Sequence, residues 1–442
     1  MRLKIRYPLF IGMILWGSLA FPLMAQTFQR LTLQDAITLT LQHNKKLQIK
    51  SIENKVTTIR AEDIRQDKLP EVAFNSNVQV LDNLHQYEQG LGHPSTMYET
   101  PRFKYNFTID AEIPLYTGGK LKYEEKKAHL DIEIQDLHYR KAERDVKMQL
   151  IAAYLHGLHL QQQKKLILEK MREDSLVIAQ SEKLRQNGVV TNNDVLRTKL
   201  QFSNHQMLYY DLEKDLTILE HEVKILLALP EEVEMHIDTE GLFSDIPIVS
   251  VLEDLVAQAR NNSESLHIAE KEAEQKELDK KLVHANVLPK VFAGGEYGYN
   301  YPNFMFFPPV EHLYRFGAVG ISLKMPLSNL YKNKTKVNMA NEQLKMAQLT
   351  VEEKEEQLRH EVFAAQKKLE EATRKIGIAQ QAIDQAKENY RIVRLKYSNQ
   401  LSLITELIDA DNAYLEAQSN LLSLKINRQL KYYQLQYVLG RI

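Results

Sequence analysis

The chain has no cysteine. Disulfides, thiolate metal sites, cysteine nucleophiles and a lipidated N-terminal cysteine are therefore excluded. Glycine and proline are scarce, 16 and 13 of 442 residues, which favours long elements over many short ones. Neither charge is in excess: 57 Lys and Arg face 58 Asp and Glu, whereas a nucleic-acid binder carries a basic surplus. Long apolar runs are nearly absent too. The exception, "LFIGMILWGSLAF", contains the only tryptophan, Trp16, follows Arg2, Lys4 and Arg6, and precedes the small Ala25. This is the layout of a cleavable secretory signal over residues 1–25, and it is short of the roughly 20 residues a spanning helix needs. A mature chain inserted in a membrane would have to use strands.

Chemistry is poorly represented. The 14 histidines form no HExxH motif, and His156 and His159 in "LHGLH" read as surface or packing residues, so no metal, cofactor or catalytic group is expected. The Gly118-Gly119-Lys120 triplet in "EIPLYTGGKLKYE" lacks the longer arc and the Ser or Thr of a phosphate-binding loop.

The chain repeats one plan twice. "LTLQDAITLTLQHNKKL" corresponds to "VSVLEDLVAQARNNSESL", which aligns Thr32 and Asp35 with Ser250 and Glu253 as helix starts. Both first helices stop at Leu-Pro, at Leu69-Pro70 and Leu288-Pro289, because a residue before proline resists the α region. Pro114 in "EIPLYTGGKLK" then aligns with Pro326 in "KMPLSNLYKNK". "LRQNGVVTNNDVLRTKLQ" aligns with "LKYSNQLSLITELIDADN". The repeats span 26–230 and 249–442, joined by 231–248.

Each repeat reads as helix, strand, loop, strand, very long helix, turn, helix. Strands are expected at 72–80, 103–113, 291–301 and 319–325, where apolar and polar residues alternate. In "FKYNFTIDAEI" Phe103, Tyr105, Phe107, Ile109 and Ile113 share one face, and Lys104, Asn106, Asp110 and Glu112 share the other. The long helices are expected at 120–184 and 331–397. The second carries an unbroken seam of fours and threes through Val362, Ala365, Leu369, Ala372, Ile376, Ala379, Ile383 and Ala386, which predicts left-handed supercoiling. At about 1.5 Å per residue each long helix measures roughly 100 Å, and the shorter helices, 33–68, 192–229, 250–287 and 403–440, measure roughly 54–57 Å. Two short helices end to end thus match one long one. Four rods and four strands make a curved wall rather than a globule. Four strands in lipid leave two open edges whose bare backbone groups each cost several kcal/mol, so closure requires further copies; three chains give twelve strands.

These features together resemble the TolC-like outer-membrane efflux proteins over the whole mature chain. The residues carrying the likeness are the duplicated plan, "LTLQDAI" with Asn44 downstream, the two Leu-Pro helix ends, "IPLYTGGK", and the turn from Gly188 to Leu196. The resemblance implies a mainly α fold with transmembrane β-structure: a homotrimer with a twelve-stranded barrel in the outer membrane, continuous with a coiled-coil α-barrel in the periplasm. It implies a passive conduit for an inner-membrane pump and a periplasmic adaptor, with outer-membrane lipid as the other partner. By the same resemblance, the adaptor-docking tips fall on Asn187, Gly188 and Val189 and on Ser398, Asn399 and Gln400. The acidic pair of a periplasmic gate falls on Glu406 and Asp409, with Asp194 in a related place. Pro114, Gly118, Gly119 and Pro326 fall at the hinge between barrel and tunnel, where Ile113 would end the strand and Pro114 stop its pairing.

The second copy departs from the pattern in having no glycine at its junction or tip and in placing Glu406 where aspartate is usual. Glu406 and Asp409 lie one turn apart on one helix face, and the alternative reading is that they are solvated charges on a helix exterior. "NFMFFPPV", within loop 302–313, reads either as a loop folded over the barrel mouth or as an interfacial aromatic patch. The competing class is a soluble periplasmic coiled-coil scaffold or adaptor, which explains the seams and the signal but not the paired strands with one charged face.

Overall fold

The computed structural model describes residues 28–231, 233, 235–239, 246, 251–306 and 309–442. The expected signal, Ser250 and most of 231–248 lie outside the described residues. In chain order the elements are β1 (Phe28–Leu31), α1 (Leu33–His43), α2 (Lys45–Gln66), β2 (Glu71–Val80), β3 (Leu84–Gln86), β4 (Thr96–Tyr98), β5 (Phe103–Tyr116), α3 (Lys120–Gln186) and α4 (Asn192–Leu227). They continue with β6 (Met235–Ile237), α5 (Leu252–Asn262), α6 (Glu264–Ala285), β7 (Lys290–Tyr301), β8 (Tyr314–Lys324), α7 (Asn329–Ser398) and α8 (Ile404–Val438).

The two long helices, 67 and 70 residues, start and end within two residues of the sequence reading. The heptad seam is the reason: Leu358, Val362, Leu369, Ala372 and Ala379 are buried on α7, as are Val146, Leu150, Gly157 and Leu160 on α3. The helices at 33–68 and 250–287, expected unbroken, are each split in two. At Asn44 the backbone turns extended (φ −61°, ψ 123°), and its side-chain oxygen accepts from the N–H groups of Lys46 and Leu47 to start α2. Ser263 does the same for α6, accepting from Leu266 N. A capping side chain competes with the helix for its own backbone.

These breaks stand where the composite rods are joined. Asn44 Nδ2 donates to the Leu226 carbonyl near the end of α4, 2.8 Å away, so α4 and α2 meet end to end. Asn262 Nδ2 donates likewise to Leu439 O beyond α8, at 3.1 Å. Arg144 of α3 stitches the second joint, donating to Tyr437 O at 3.4 Å and pairing with Glu264 at the start of α6. The largest core lies at the level of the first joint. Tyr154, Leu150, Leu155, Leu219, Val223 and Leu227 pack there under a short parallel pair, β1 with β6, which the sequence did not announce. Tyr154 Oη donates to Leu31 O at 2.9 Å, fixing that pair to α3.

The main sheet has the order β2-β5-β7-β8, antiparallel throughout. A second unannounced element, the β3–β4 hairpin, rises from its far end. Ile113 does not end β5. The strand runs through Pro114 to Tyr116, paired with β7 through a register shift between Pro114 and Tyr116. Pro114 is tolerated because β2 has already stopped: its last partner on β5 is Glu112, opposite Glu71.

Candidate functional site

The register sorts every strand residue onto one of two faces. On one, Phe74, Ile109 and Tyr297 stand in one row, and Val72, Ala111 and Val319 in the next. This face is bare: Val319 is 93% exposed, Ile321 75% and Phe74 68%. The opposite face carries Asn75, Asn77, Lys104, Asn106, Thr108, Asp110, Glu112, Glu296 and Asn300, with Asn75 hydrogen-bonded to Asp110 across the strands. An apolar face this exposed suits hydrocarbon, and the polar face behind it suits a water-filled interior. β2 and β8 have no outer neighbour among the described residues.

Sheet and rods meet at two differently built junctions. In the first copy Gly118 and Gly119 take φ of 69° and 84°. A Cβ on Gly118 would stand 2.8 Å from Leu288 Cβ and 2.9 Å from Ala285 O, so the glycine also lets the turn sit against the α6–β7 corner. In the second copy Pro326-Leu327-Ser328 enters α7 with ordinary helical backbone, Ser328 at φ −61°. Two asparagines hold this junction to the same corner: Asn329 Nδ2 donates to Asn286 O at 2.9 Å and Asn333 Nδ2 to Val283 O at 2.8 Å.

At the other end of the rods are the two helix turns. Asn187-Gly188-Val189 closes α3, with Gly188 at φ 72° and Val189 N donating to Leu184 O. Ser398-Asn399-Gln400 closes α7 in the same manner, with Leu401 N donating to Lys396 O. Here Gln400 takes the left-handed conformation (φ 64°) that glycine takes in the first turn. Glu406 and Asp409 are both exposed on α8, opposite the buried Ile404, Leu407 and Ala410. Asp194 is differently employed. Its Oδ2 accepts from both Thr191 N and Thr191 Oγ1 at 2.8 Å, a capping box that starts α4 and leaves it apart from the α8 pair.

Sequence reasoning missed a buried polar cluster where α3, α4, α7 and α8 converge. Lys170 pairs with Asp411 and, at 2.7 Å, with Glu173. His205 Nδ1 lies 2.6 Å from Asp174 Oδ2, and Gln201 of α4 donates to Asn412 of α8 at 2.6 Å. Lys170, Asp174, His205 and Asp411 are each at most 8% exposed. Burial pushes the Asp411 carboxyl above its usual range; Lys170 opposes this, and Asp174 and Glu173 reinforce it. The one hint in the sequence was the position of Asp411, directly after the small Ala410, which is buried on α8.

Among the described residues no helix is long and apolar enough to cross a membrane, and no three metal-ligating side chains converge. His156 and His159 stack ring on ring at 6.5 Å on α3. At the mouth end, the Lys104 ammonium of the polar face lies 5.5 Å from the centre of the Phe304 ring, which draws the start of loop 302–313 toward the interior side.

A sheet bare to lipid on one face and carried on hydrated helical rods defines an outer-membrane protein with strands in the bilayer and helices in water. The outer membrane efflux protein family model matches residues 36–228 and 255–441, and the chain belongs to that family. No curated protein matches it in sequence. Among solved structures it is similar to the channel-forming CusC, with a TM-score of 0.77 at 13% identity, 94% of this chain covering 93% of that one. It is similar to VceC of Vibrio cholerae, with a TM-score of 0.73 at 16% identity, over 92% and 96% of the two chains. The open MtrE channel of Neisseria gonorrhoeae gives a TM-score of 0.71 at 15% identity, over 92% and 88%. The protein is thus an efflux channel component of the Gram-negative outer membrane, its duplicated rods extending into the periplasm, and its family is one of transport channels.

Proposed function

We propose that three copies close into one conduit, a twelve-stranded barrel continued by twelve helical rods. The observation that carries this reading is the bare apolar sheet with two unpaired edges. In lipid each unsatisfied edge group costs several kcal/mol, and closure removes them all. The helical layer supports the same closure. α2 leads into β2 and α8 follows α7, which leaves β8, so one side of the protomer ends in β2 and the α2–α4 rod and the other in β8 and α7. The α2–α4 side keeps an exposed seam, Ile49, Ile52, Val56 and Ile59 on α2 and Leu196, Leu200 and Met207 on α4, spaced as a coiled-coil face in want of a partner.

In this conduit an inner-membrane pump and a periplasmic adaptor deliver the substrate, and the chain conducts it without chemistry of its own. The turns at 187–189 and 398–400 are the docking tips. Glu406 and Asp409, exposed and adjacent, form a carboxylate ring at the periplasmic end. Gly118 and Gly119, with Pro114 and Pro326, mark the passage from barrel to tunnel. The repeats are 26–230 and 249–442, with a leader at 1–25. The soluble scaffold is disfavoured by the apolar face, which would lie in water. Native mass spectrometry of the detergent-extracted protein is the test: a trimer is expected, and a monomer would overturn the closed-barrel reading.

A further inference from the structure

The cluster between α3, α4, α7 and α8 has an unbalanced charge. Gln201 Nε2 stands 3.2 Å from His205 Nε2. An amide nitrogen only donates, so His205 Nε2 accepts, and the ring proton sits on Nδ1, donated to Asp174. In this hydrogen-bonding pattern the ring carries a single proton. The buried charges are then Lys170, positive, against Asp174 and Asp411, both negative. Glu173, the third carboxylate, has half its side chain in solvent and is stabilised there. The other groups facing the cluster do not correct the balance. α4 adds Thr198 and Gln201, which are uncharged, and α8 adds Asn412 and Tyr414, the latter stacked on Tyr390. α7 adds Tyr390, over which Lys170 lies at 5.0 Å, and Arg394, which is exposed to water and lies 6.0 Å from the centre of the same ring. The remaining charges on that stretch of α7, Asp384, Lys387, Glu388, Arg391 and Lys396, are all exposed, and Glu388 pairs with Arg391. The buried set is one proton short of neutrality.

We propose that the packed cluster binds one proton more than its groups hold when separated, so that acidification holds α8 against α3 and α4 and alkali loosens that contact. An excess buried anion is poorly solvated, and a proton taken up at Asp411, beside the Asp174 charge, removes it. The raised Asp411 carboxyl has the required sign: a group that binds its proton more tightly in the packed state is stabilised there by acid. All the contacts lie within one protomer, so the inference does not rest on the trimer.

The test is hydrogen exchange of the 404–416 backbone in the full-length protein in detergent, corrected for the intrinsic pH dependence of exchange. Between about pH 8 and about pH 5.5, protection of this segment is expected to rise roughly threefold or more. Asp174→Asn keeps a hydrogen-bond acceptor for His205 but makes the buried set neutral. It is expected to abolish the pH dependence, and Asp411→Asn is expected to do so independently should the first variant fail to fold. A wild-type segment equally protected at both pH values overturns the proposal. So does either variant that retains the wild-type response, since a merely structural pair would shift protection equally at both pH values.

Discussion

Asn44 and Leu226, 182 residues apart, are joined by a 2.8 Å hydrogen bond from the Asn44 amide to the Leu226 carbonyl, and that bond splices two helices into one rod. The same side chain caps α2 through its oxygen. In the second copy the two tasks are divided: Ser263 caps α6 and Asn262 reaches Leu439. Asn44→Ala should therefore cost about 2 kcal/mol, the sum of a lost cap and a lost buried bond, while Asn262→Ala and Ser263→Ala should each cost about 1 kcal/mol. Denaturant unfolding followed by helical circular dichroism checks this; equal losses for Asn44→Ala and Asn262→Ala would contradict the division.

The tips differ in their tolerance of a left-handed residue. Glycine adopts that conformation freely, whereas a side chain raises its energy by about 1–2 kcal/mol. Gly188 occupies it in one tip and Gln400 in the other. Gln400→Gly should thus stabilise the second tip by up to about 1 kcal/mol, and Gly188→Ala should destabilise the first by a similar amount. Protease sensitivity at the two turns reports the change: slower cleavage near 400 in the first variant, faster near 188 in the second.

The junctions should fail for different reasons. Gly118→Ala sets a Cβ against Leu288 Cβ and Ala285 O in a backbone region that alanine avoids, so the α6–β7 corner must move. Asn333→Ala removes a bond to Val283 O from a residue only 6% exposed and leaves that carbonyl only the longer, 3.3 Å bond from Asn286 N. The expected cost is about 1–3 kcal/mol for the asparagine and at least as much for the glycine. Heat-resistance of the detergent-solubilised assembly on gels is the measurement, and an unchanged Gly118→Ala would show that the corner yields freely.

For the acidic pair, replacement of Glu406 and Asp409 by Ala should weaken block of the channel by multivalent cations several-fold, because a ring of carboxylates concentrates such ions. Single-channel recording with a trivalent cation on the periplasmic side decides it. Unchanged block would return both residues to the solvated exterior of α8. Asp194→Ala should leave block alone and instead loosen the start of α4, since its carboxylate is held by Thr191.

Elements written by periodicity were legible in the sequence. The alternation in "FKYNFTIDAEI" placed β5, and the fours and threes from Leu358 placed α7, because burial on one face imposes the pattern directly. Features that depend on a distant partner were not. Asn44 looks like an ordinary polar residue in a helical stretch until the end of α4 is seen above it. Pro114 reads as a strand stop, yet it is accommodated because the pairing of β2 with β5 ends two residues before it, at Glu112. Lys170, Glu173 and Asp174 look like solvated helix charges, and only the approach of α4 and α8 buries two of the three. The β1–β6 pair is short and its strands are two hundred residues apart, so no local pattern announces it.

The buried Lys170–Asp411 pair should respond differently to loss of one partner and loss of both. Lys170→Met leaves Asp411 buried without its cation and should cost about 3–5 kcal/mol near neutral pH, whereas Lys170→Met with Asp411→Leu should be nearly neutral, because two packed apolar groups need no solvation. The single variant carries a sign test. Burial already raises the Asp411 carboxyl, and loss of Lys170, which opposes that rise, must raise it further. A carboxyl with a raised folded pKa contributes stability that is complete below its unfolded value and is lost as pH climbs through its folded value. The cost of Lys170→Met should accordingly shrink on acidification, with the unfolding midpoint of the single variant approaching that of the double variant toward pH 5 and diverging from it toward pH 8. Parallel midpoints across that range would mean that Asp411 finds another partner when Lys170 is gone.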